Sequence, residues 1–140
     1  MPPFEIERMY TMQKVYSTRK YISIDTQNCL IGGCYIDYCM LKSEIRIPHS
    51  DIKVTVYGVE IEKKQKKNGI ETLLEKATVN DIFATSEYTT SFILTLAQKK
   101  IMPSELKNVI GDLLGDSGFE PPEVTYISAA NSLSTFPVHL

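Results

Sequence analysis

The segment from Pro103 to Leu114 carries the most constraining pattern in the chain. Pro103 is favourable in the first turn of a helix, where its missing N–H would have no partner, and Gly115 is a typical residue just beyond a helix end. Apolar residues recur between them at helical spacing without exception, at Leu106, Val109, Ile110, Leu113 and Leu114. This spacing predicts a helix over 103–114 with one apolar side that must pack on another layer and so close a hydrophobic core.

The layer beneath this helix is predicted upstream, where apolar residues alternate as they do in β-strands. Asn68-Gly69 is expected to join two of these strands, because both positions of a tight hairpin turn take positive φ. The apolar parity switches at Gly58, which predicts a β-bulge there. The expected strands are Val15–Ile24, a strand within Cys29–Leu41, Ile52–Lys64, and a strand within Ile70–Ile82. A helical turn at Glu71–Lys76 is the alternative to the last of these strands.

An earlier helix is predicted from Ser86 to Lys100, with Ser86 as its N-cap. Strands followed by helices indicate an α+β fold, in which about four antiparallel strands are followed by two C-terminal helices packed on one face. Residues 1–115 would form a single domain. Residues 116–140 are interrupted by Gly, Pro and Ser and are predicted to be an irregular C-terminal tail, with a short strand at Val124–Ile127 as the alternative.

Charge and hydropathy limit the classes of partner. The chain of 140 residues has a net charge of −2, so it has no overall attraction for nucleic acid or anionic lipid. Its longest mostly apolar stretch, Cys29–Ile36, is too short to cross a bilayer, which takes about 20 residues. Residues 1–8 lack the basic and apolar regions of a secretory signal. We therefore expect a cytoplasmic protein that does not act on membranes.

Three short patterns between residues 57 and 114 carry a resemblance. They are Tyr57-Gly58-Val59-Glu60, then Val79-Asn80-Asp81-Ile82, and finally Pro103 with Leu106, Val109, Ile110, Asp112 and Leu114. With them, residues 57–115 resemble a family of small uncharacterised proteins, a domain of unknown function, from Gram-positive bacteria. The resemblance implies the fold and brings no activity with it.

The three cysteines, Cys29, Cys34 and Cys39, are each separated by four residues. Single-metal sites use closer pairs and usually four ligands, so we predict no metal site and no cofactor. The thiols are interpreted as buried apolar groups in a reducing compartment. An enzyme is disfavoured because the sequence shows no catalytic or cofactor motif. The alternative is a small hydrolase or transferase that uses Cys34 or Cys39 with His49, since His139 is the penultimate residue.

The leading prediction is a non-catalytic protein-binding or regulatory domain, with another protein or a second copy of the chain as its partner. Tyrosine is enriched at protein interfaces, which makes the tyrosines of the second strand candidates. Weak nucleic-acid binding through the lysines before the hairpin turn is a further alternative, although the acidic chain favours a solvated hairpin end. The candidate binding residues are Lys63, Lys64, Lys66, Lys67, Tyr35 and Tyr38.

Overall fold

A computed structural model describes residues 7–8, 12–22, 33–114 and 122–129. Outside this range lie residues 23–24 of the first predicted strand, Cys29, Gly115, and residues 116–121 and 130–140 of the predicted tail, which include His139. The helices are α1 (Ser86–Gln98) and α2 (Leu106–Leu114), the latter preceded by a 3₁₀ turn at Pro103–Glu105. The strands are β1 (Glu7–Arg8), β2 (Gln13–Ile22), β3 (Cys34–Arg46), β4 (Lys53–Lys67), β5 (Ile70–Phe83) and β6 (Val124–Ser128).

The strands form one antiparallel sheet around β3. β4 pairs with β3 along its whole length, and the short β1 and the longer β2 share the other edge of β3. β5 and β6 follow β4, so five strand positions lie side by side. The predicted antiparallel α+β class is confirmed. The predicted count of about four strands was too small, because β6 comes from the segment in which Pro and Ser residues favour irregular structure.

Two local predictions about β4 and β5 are confirmed. Asn68 and Gly69 connect these strands with φ values of 54° and 79°, as a tight hairpin turn requires. The β4–β5 register shifts between Tyr57 and Val59, which places a bulge at Gly58. A Cβ atom at Gly58 would overlap the carbonyl oxygen of Val79 and lie 2.9 Å from the Cα of Asn80. Glycine therefore allows the two backbones to approach at this point.

Both helices contribute to a single hydrophobic core on one face of the sheet. α1 contributes Ile93 and Leu96, and α2 contributes Leu106 and Ile110. The sheet side of this core consists of alternate residues of three strands, which is the period expected of a buried strand face. These residues are Ile36, Tyr38 and Met40 of β3, Val59 and Ile61 of β4, and Ala77 and Val79 of β5.

The ends of the two helices differ in detail from the prediction. The N-cap of α1 is Thr85 and not Ser86, since the Thr85 hydroxyl accepts a hydrogen bond of 3.2 Å from the Tyr88 N–H. The second helix starts with a 3₁₀ turn, where the Met102 N–H donates to the Glu105 carboxylate at 2.7 Å. Its apolar stripe is buried in part, because Leu113 remains 39% exposed.

Candidate functional site

The sheet face opposite the helices carries charged side chains instead of an apolar core. They come from three neighbouring strands, where the alternation that buries one set of residues in the core turns the other set to this face. The central carboxylates are unusual because strongly charged residues are seldom buried unless they are paired. We call this group the charge network; it consists of Lys14 and Arg19 of β2, Asp37 of β3, and Glu60, Glu62 and Lys64 of β4.

Asp37 is the most fully paired carboxylate of the charge network. The Arg19 guanidinium donates to its two oxygens at 2.7 and 3.0 Å, and the Lys64 ammonium donates to one of them at 3.3 Å. Burial of Asp37 opposes ionisation, but the Arg19 and Lys64 cations outweigh it and hold the pKa of the carboxyl below its ordinary value. Asp37 is therefore ionised at neutral pH and fixes the positions of both cations.

Lys14 bridges the two glutamates of the charge network. Its ammonium lies 3.0 Å from Glu60 Oε1 and 3.1 Å from Glu62 Oε1. Burial disfavours the charged amine, but the two carboxylates outweigh this effect and raise the pKa of Lys14. The Thr78 hydroxyl donates a further hydrogen bond of 3.0 Å to Glu60. Each buried carboxylate thus has a cationic partner, as the desolvation cost of a buried charge requires.

The two candidate tyrosines lie on opposite faces of β3, because they are three positions apart. Tyr35 lies beneath Arg19, whose guanidinium carbon is 3.9 Å from the centre of the ring, and it contacts Tyr21 edge-to-face. Tyr35 is only 2% exposed, and its buried hydroxyl has no hydrogen-bond partner among the described residues. Tyr38 belongs to the helix-facing core, where its hydroxyl donates to the Ile101 carbonyl at 2.9 Å. Tyr38 is therefore a core residue, and neither tyrosine offers an exposed ring to a partner.

The four candidate lysines are divided between two environments. Lys63 lies 3.8 Å from Glu75 on β5, and Lys64 belongs to the charge network. Lys66 and Lys67 are exposed beside the hairpin turn. The ion pairs of the first two lysines follow from the strand register, which sequence spacing alone does not provide. A nucleic-acid patch would accordingly have two freely exposed cations and not four.

A cavity of about 450 Å³ opens over the charge network, with Cys39 among the residues that line it. Burial raises the pKa of the Cys39 thiol to about 11, so the thiol is protonated at neutral pH and is a weak nucleophile. His49 lies in the turn beyond the end of β3. Seven residues of strand separate Cys39 from that end, which corresponds to more than about 20 Å. The thiol-dependent alternative therefore lacks its base.

The two described cysteines are in different chemical states. Cys34 is disulfide-bonded, while Cys39 is a free buried thiol. Cys34 is thus not the simple apolar thiol that the sequence suggested, because cysteine spacing along the chain does not determine which sulfurs meet in space. In the described part of the chain, no three His, Cys, Asp or Glu side chains are grouped so that they could hold a metal ion.

The outer edge of β2, which we call the β2 edge, is the second notable feature. β2 pairs with β3 from Gln13 to Ile22, and no described strand pairs with its other side. Its apolar side chains Val15 and Tyr21 are exposed, Tyr21 by 67%. Sequence periodicity predicted this strand but not its place at the edge of the sheet, because strand order depends on long-range pairing.

The class of protein defined by these features is an α+β domain with one apolar and one charged sheet face. Residues 12–116 match the profile of a family described as a family of unknown function (DUF6514), and the chain belongs to this family. The match covers the region of the resemblance at 57–115 and extends it to β2. No curated protein and no solved structure matches the chain significantly. Neither described helix is long and apolar enough to cross a membrane.

Proposed function

We propose that this chain is a non-catalytic domain that binds another protein through the β2 edge. The observation that carries the proposal is the length of this edge. The ten residues of β2 pair with β3 on one side, and no described strand pairs with them on the other side. An open edge displays backbone N–H and C=O groups that an extended segment can pair with, so that it adds a strand to the sheet. The exposed side chains of Val15 and Tyr21 would add apolar contacts to these hydrogen bonds.

The β2 edge is a better docking element than the opposite edge of the sheet. β6 has five residues, so it offers half the length of β2. The hydroxyl of its exposed Tyr126 already donates to Glu75 at 3.0 Å. Since backbone hydrogen bonds supply the affinity in strand addition, the longer strand favours binding at β2.

The chemistry of the charged face supports the proposal of a non-catalytic domain. The pKa of Cys39 is raised, and the cations of the charge network are engaged with carboxylates. Weak nucleic-acid binding through the hairpin is the second candidate and rests on Lys66 and Lys67, the exposed members of the candidate lysine set. A titration of labelled single-stranded DNA at low salt tests it, because phosphate-driven binding is strongest there. A flat titration removes this candidate.

A bacterial, cytoplasmic setting is part of the same proposal. The free thiol of Cys39 fits a reducing compartment, whereas the disulfide of Cys34 fits an oxidising one. Alkylation of the protein in intact cells, followed by mass spectrometry, decides between them. Recovery of Cys34 in alkylated form supports the cytoplasm, and its recovery only after reduction contradicts it.

Site-specific photo-crosslinking tests the docking site. A photoreactive phenylalanine replaces Tyr21 on the β2 edge or, as a matched control, Leu94 on α1, which is also apolar and is 49% exposed. We expect a discrete adduct with one other protein from position 21 and not from position 94. The adduct partner is then purified and must bind the wild-type chain. Identical adduct patterns at both positions, or no adduct at position 21, would refute docking at β2.

Proline variants test whether the backbone of β2 takes part. Ladder hydrogen bonds alternate along an antiparallel strand, so of the neighbours Ser17 and Thr18 one directs its N–H toward β3 and the other outward. Proline is tolerated on an edge strand only where the N–H faces away from the sheet. We expect one of Ser17→Pro and Thr18→Pro to keep the thermal stability of the wild type and to lose the adduct. Retention of the adduct by the stable proline variant would contradict strand addition.

A further inference from the structure

The charges of β2 have one sign. Its ten residues include Lys14, Arg19 and Lys20 and no carboxylate. Lys14 and Arg19 lie on the face of the charge network, and Lys20 follows Arg19 and so points to the opposite face. A segment added along the β2 edge would therefore meet a cation on each of its own faces.

These cations remain available to a partner. The side chains of Arg19 and Lys14 are 42% and 50% exposed although each is paired with carboxylates inside the sheet. Arg19 uses Nε and one terminal nitrogen for Asp37, and it also lies 4.0 Å from a Glu71 oxygen and contacts the Tyr21 side chain. A guanidinium has five N–H donors, so these contacts leave donors for a further carboxylate. Lys20 is exposed and makes no ion pair among the described residues. All three side chains can therefore donate hydrogen bonds to carboxylates on the open side of β2.

The same charges disfavour a second copy of the chain at this edge. Antiparallel pairing of two β2 strands would bring together three cations from each strand and no carboxylate from either. Like charges directly opposite one another across strands are destabilising. A partner with acidic residues relieves this repulsion and replaces it with attraction.

We propose that the β2 edge binds an extended acidic segment of a partner protein, in which two neighbouring Asp or Glu residues face Arg19 and Lys20. The neighbouring positions follow from the pleat: residues that are adjacent in β2 lie on opposite faces, and the residues paired with them are also adjacent. This inference rests on the proposed function, because it names the chemistry of the segment that the edge receives.

Selection from a library of random ten-residue peptides displayed on phage tests the inference. Peptides are selected on the wild-type chain at low salt and counter-selected on the stable proline variant of β2. We expect the retained peptides to be enriched in Asp and Glu relative to the unselected library, with acidic residues in neighbouring positions. Retained peptides without an acidic excess would overturn the inference.

Charge reversal then locates the contact. The most enriched peptide is labelled, and its fluorescence anisotropy is measured with the wild type, with Lys20→Glu, and with Lys66→Glu. Lys66→Glu changes the net charge equally but lies at the hairpin end, so it serves as the matched control. We expect Lys20→Glu to weaken binding about threefold to tenfold and Lys66→Glu to leave it nearly unchanged. Thermal melts of both variants verify folding.

The outcomes distinguish failure of the acidic-segment inference from failure of the proposed function. Equal weakening by Lys20→Glu and Lys66→Glu would overturn the inference, because the effect would then come from net charge. A Tyr21 adduct with a partner that contributes no acidic segment would also overturn it, while the proposed function stands. The absence of an adduct at position 21 would overturn both proposals, because docking at the β2 edge would then be refuted.

Discussion

The close approach of β4 to β5 at Gly58 makes Gly58→Ala the most informative single substitution in the sheet. The added Cβ atom would overlap the Val79 carbonyl oxygen and lie 2.9 Å from the Asn80 Cα. Both atoms belong to the backbone of β5, so no side-chain rotation can relieve the contact. The strands must separate locally, and they do so beside Val59 and Val79, which are fully buried.

The expected cost follows from two opposing terms. Overpacking of a rigid site costs about 1–3 kcal/mol, and the absence of a rotatable neighbour places Gly58 near the upper end. Alanine recovers about 0.5–1 kcal/mol of the conformational entropy that glycine loses in a strand. The net loss in the free energy of unfolding is therefore about 2 kcal/mol, which corresponds to a fall in melting temperature of about 5–10 °C for a chain of this size.

Gly111→Ala is the matched control, because nothing lies within 4 Å of the added Cβ atom in the middle of α2. There the same substitution should stabilise the fold by about 0.5–1 kcal/mol through helix propensity. Urea titrations followed by circular dichroism give both free energies, and equal slopes for the two variants confirm that the midpoint shift measures stability. A urea midpoint of Gly58→Ala equal to or above that of the wild type would refute the predicted backbone clash.

Three further predictions concern the core, the charge network and the buried thiol. Ile110→Ala should lower the free energy of unfolding by about 2–5 kcal/mol and Leu113→Ala by about 1 kcal/mol or less, because only Ile110 is fully buried; similar urea midpoints would contradict this. Asp37→Asn should cost about 1–3 kcal/mol at neutral pH. Since the pKa of Asp37 is lower in the folded than in the unfolded chain, the stability difference between wild type and variant is fully present above the unfolded pKa of about 3.9. It is lost as the pH falls through the lower folded pKa. Urea titrations at several pH values measure this difference, and a difference independent of pH would contradict the prediction. Cys39 should react with iodoacetamide at least about tenfold more slowly than an ordinary thiol near neutral pH, because burial raises its pKa to about 11 and so lowers the thiolate fraction. Mass spectrometry measures the rate, and a rate equal to that of an ordinary thiol would contradict this prediction.

Features with local signals could be predicted from the sequence. Three features depend on residues that are close together in the sequence. They are the turn at Asn68-Gly69, the bulge at Gly58, and the apolar stripe through Leu106 and Ile110. The separation of Tyr35 and Tyr38 onto opposite faces also follows from their spacing, because residues three positions apart on a strand point to opposite faces.

Features that depend on strand order could not be predicted. The pairing of Arg19 with Asp37 joins residues 18 positions apart through the β2–β3 register. The open side of β2 and the pairing of β6 with β5 likewise follow from the topology of the whole sheet. Because the charged groups of this chain are paired across strands, their spacing along the sequence does not predict the candidate site.

Two of the three sequence patterns of the resemblance meet at the bulge. Tyr57–Glu60 and Val79–Ile82 are neighbours on β4 and β5, and Asp81 adopts a positive φ of 55° there. A non-glycine residue in that conformation is strained, and the surrounding structure must hold it in place. These two patterns of the resemblance therefore correspond to a local backbone conformation that shapes the sheet.

The contrast between the two faces of β3 has a consequence for how the chain tolerates insertions and deletions. Ile36 and Tyr38 face the helices, while Asp37 between them faces the charge network. A one-residue shift exchanges the faces, so a single inserted residue in β3 would place a carboxylate among apolar groups and expose a tyrosine to paired ions. Both errors are costly at once, so the central strand should accept substitutions far more readily than changes in length.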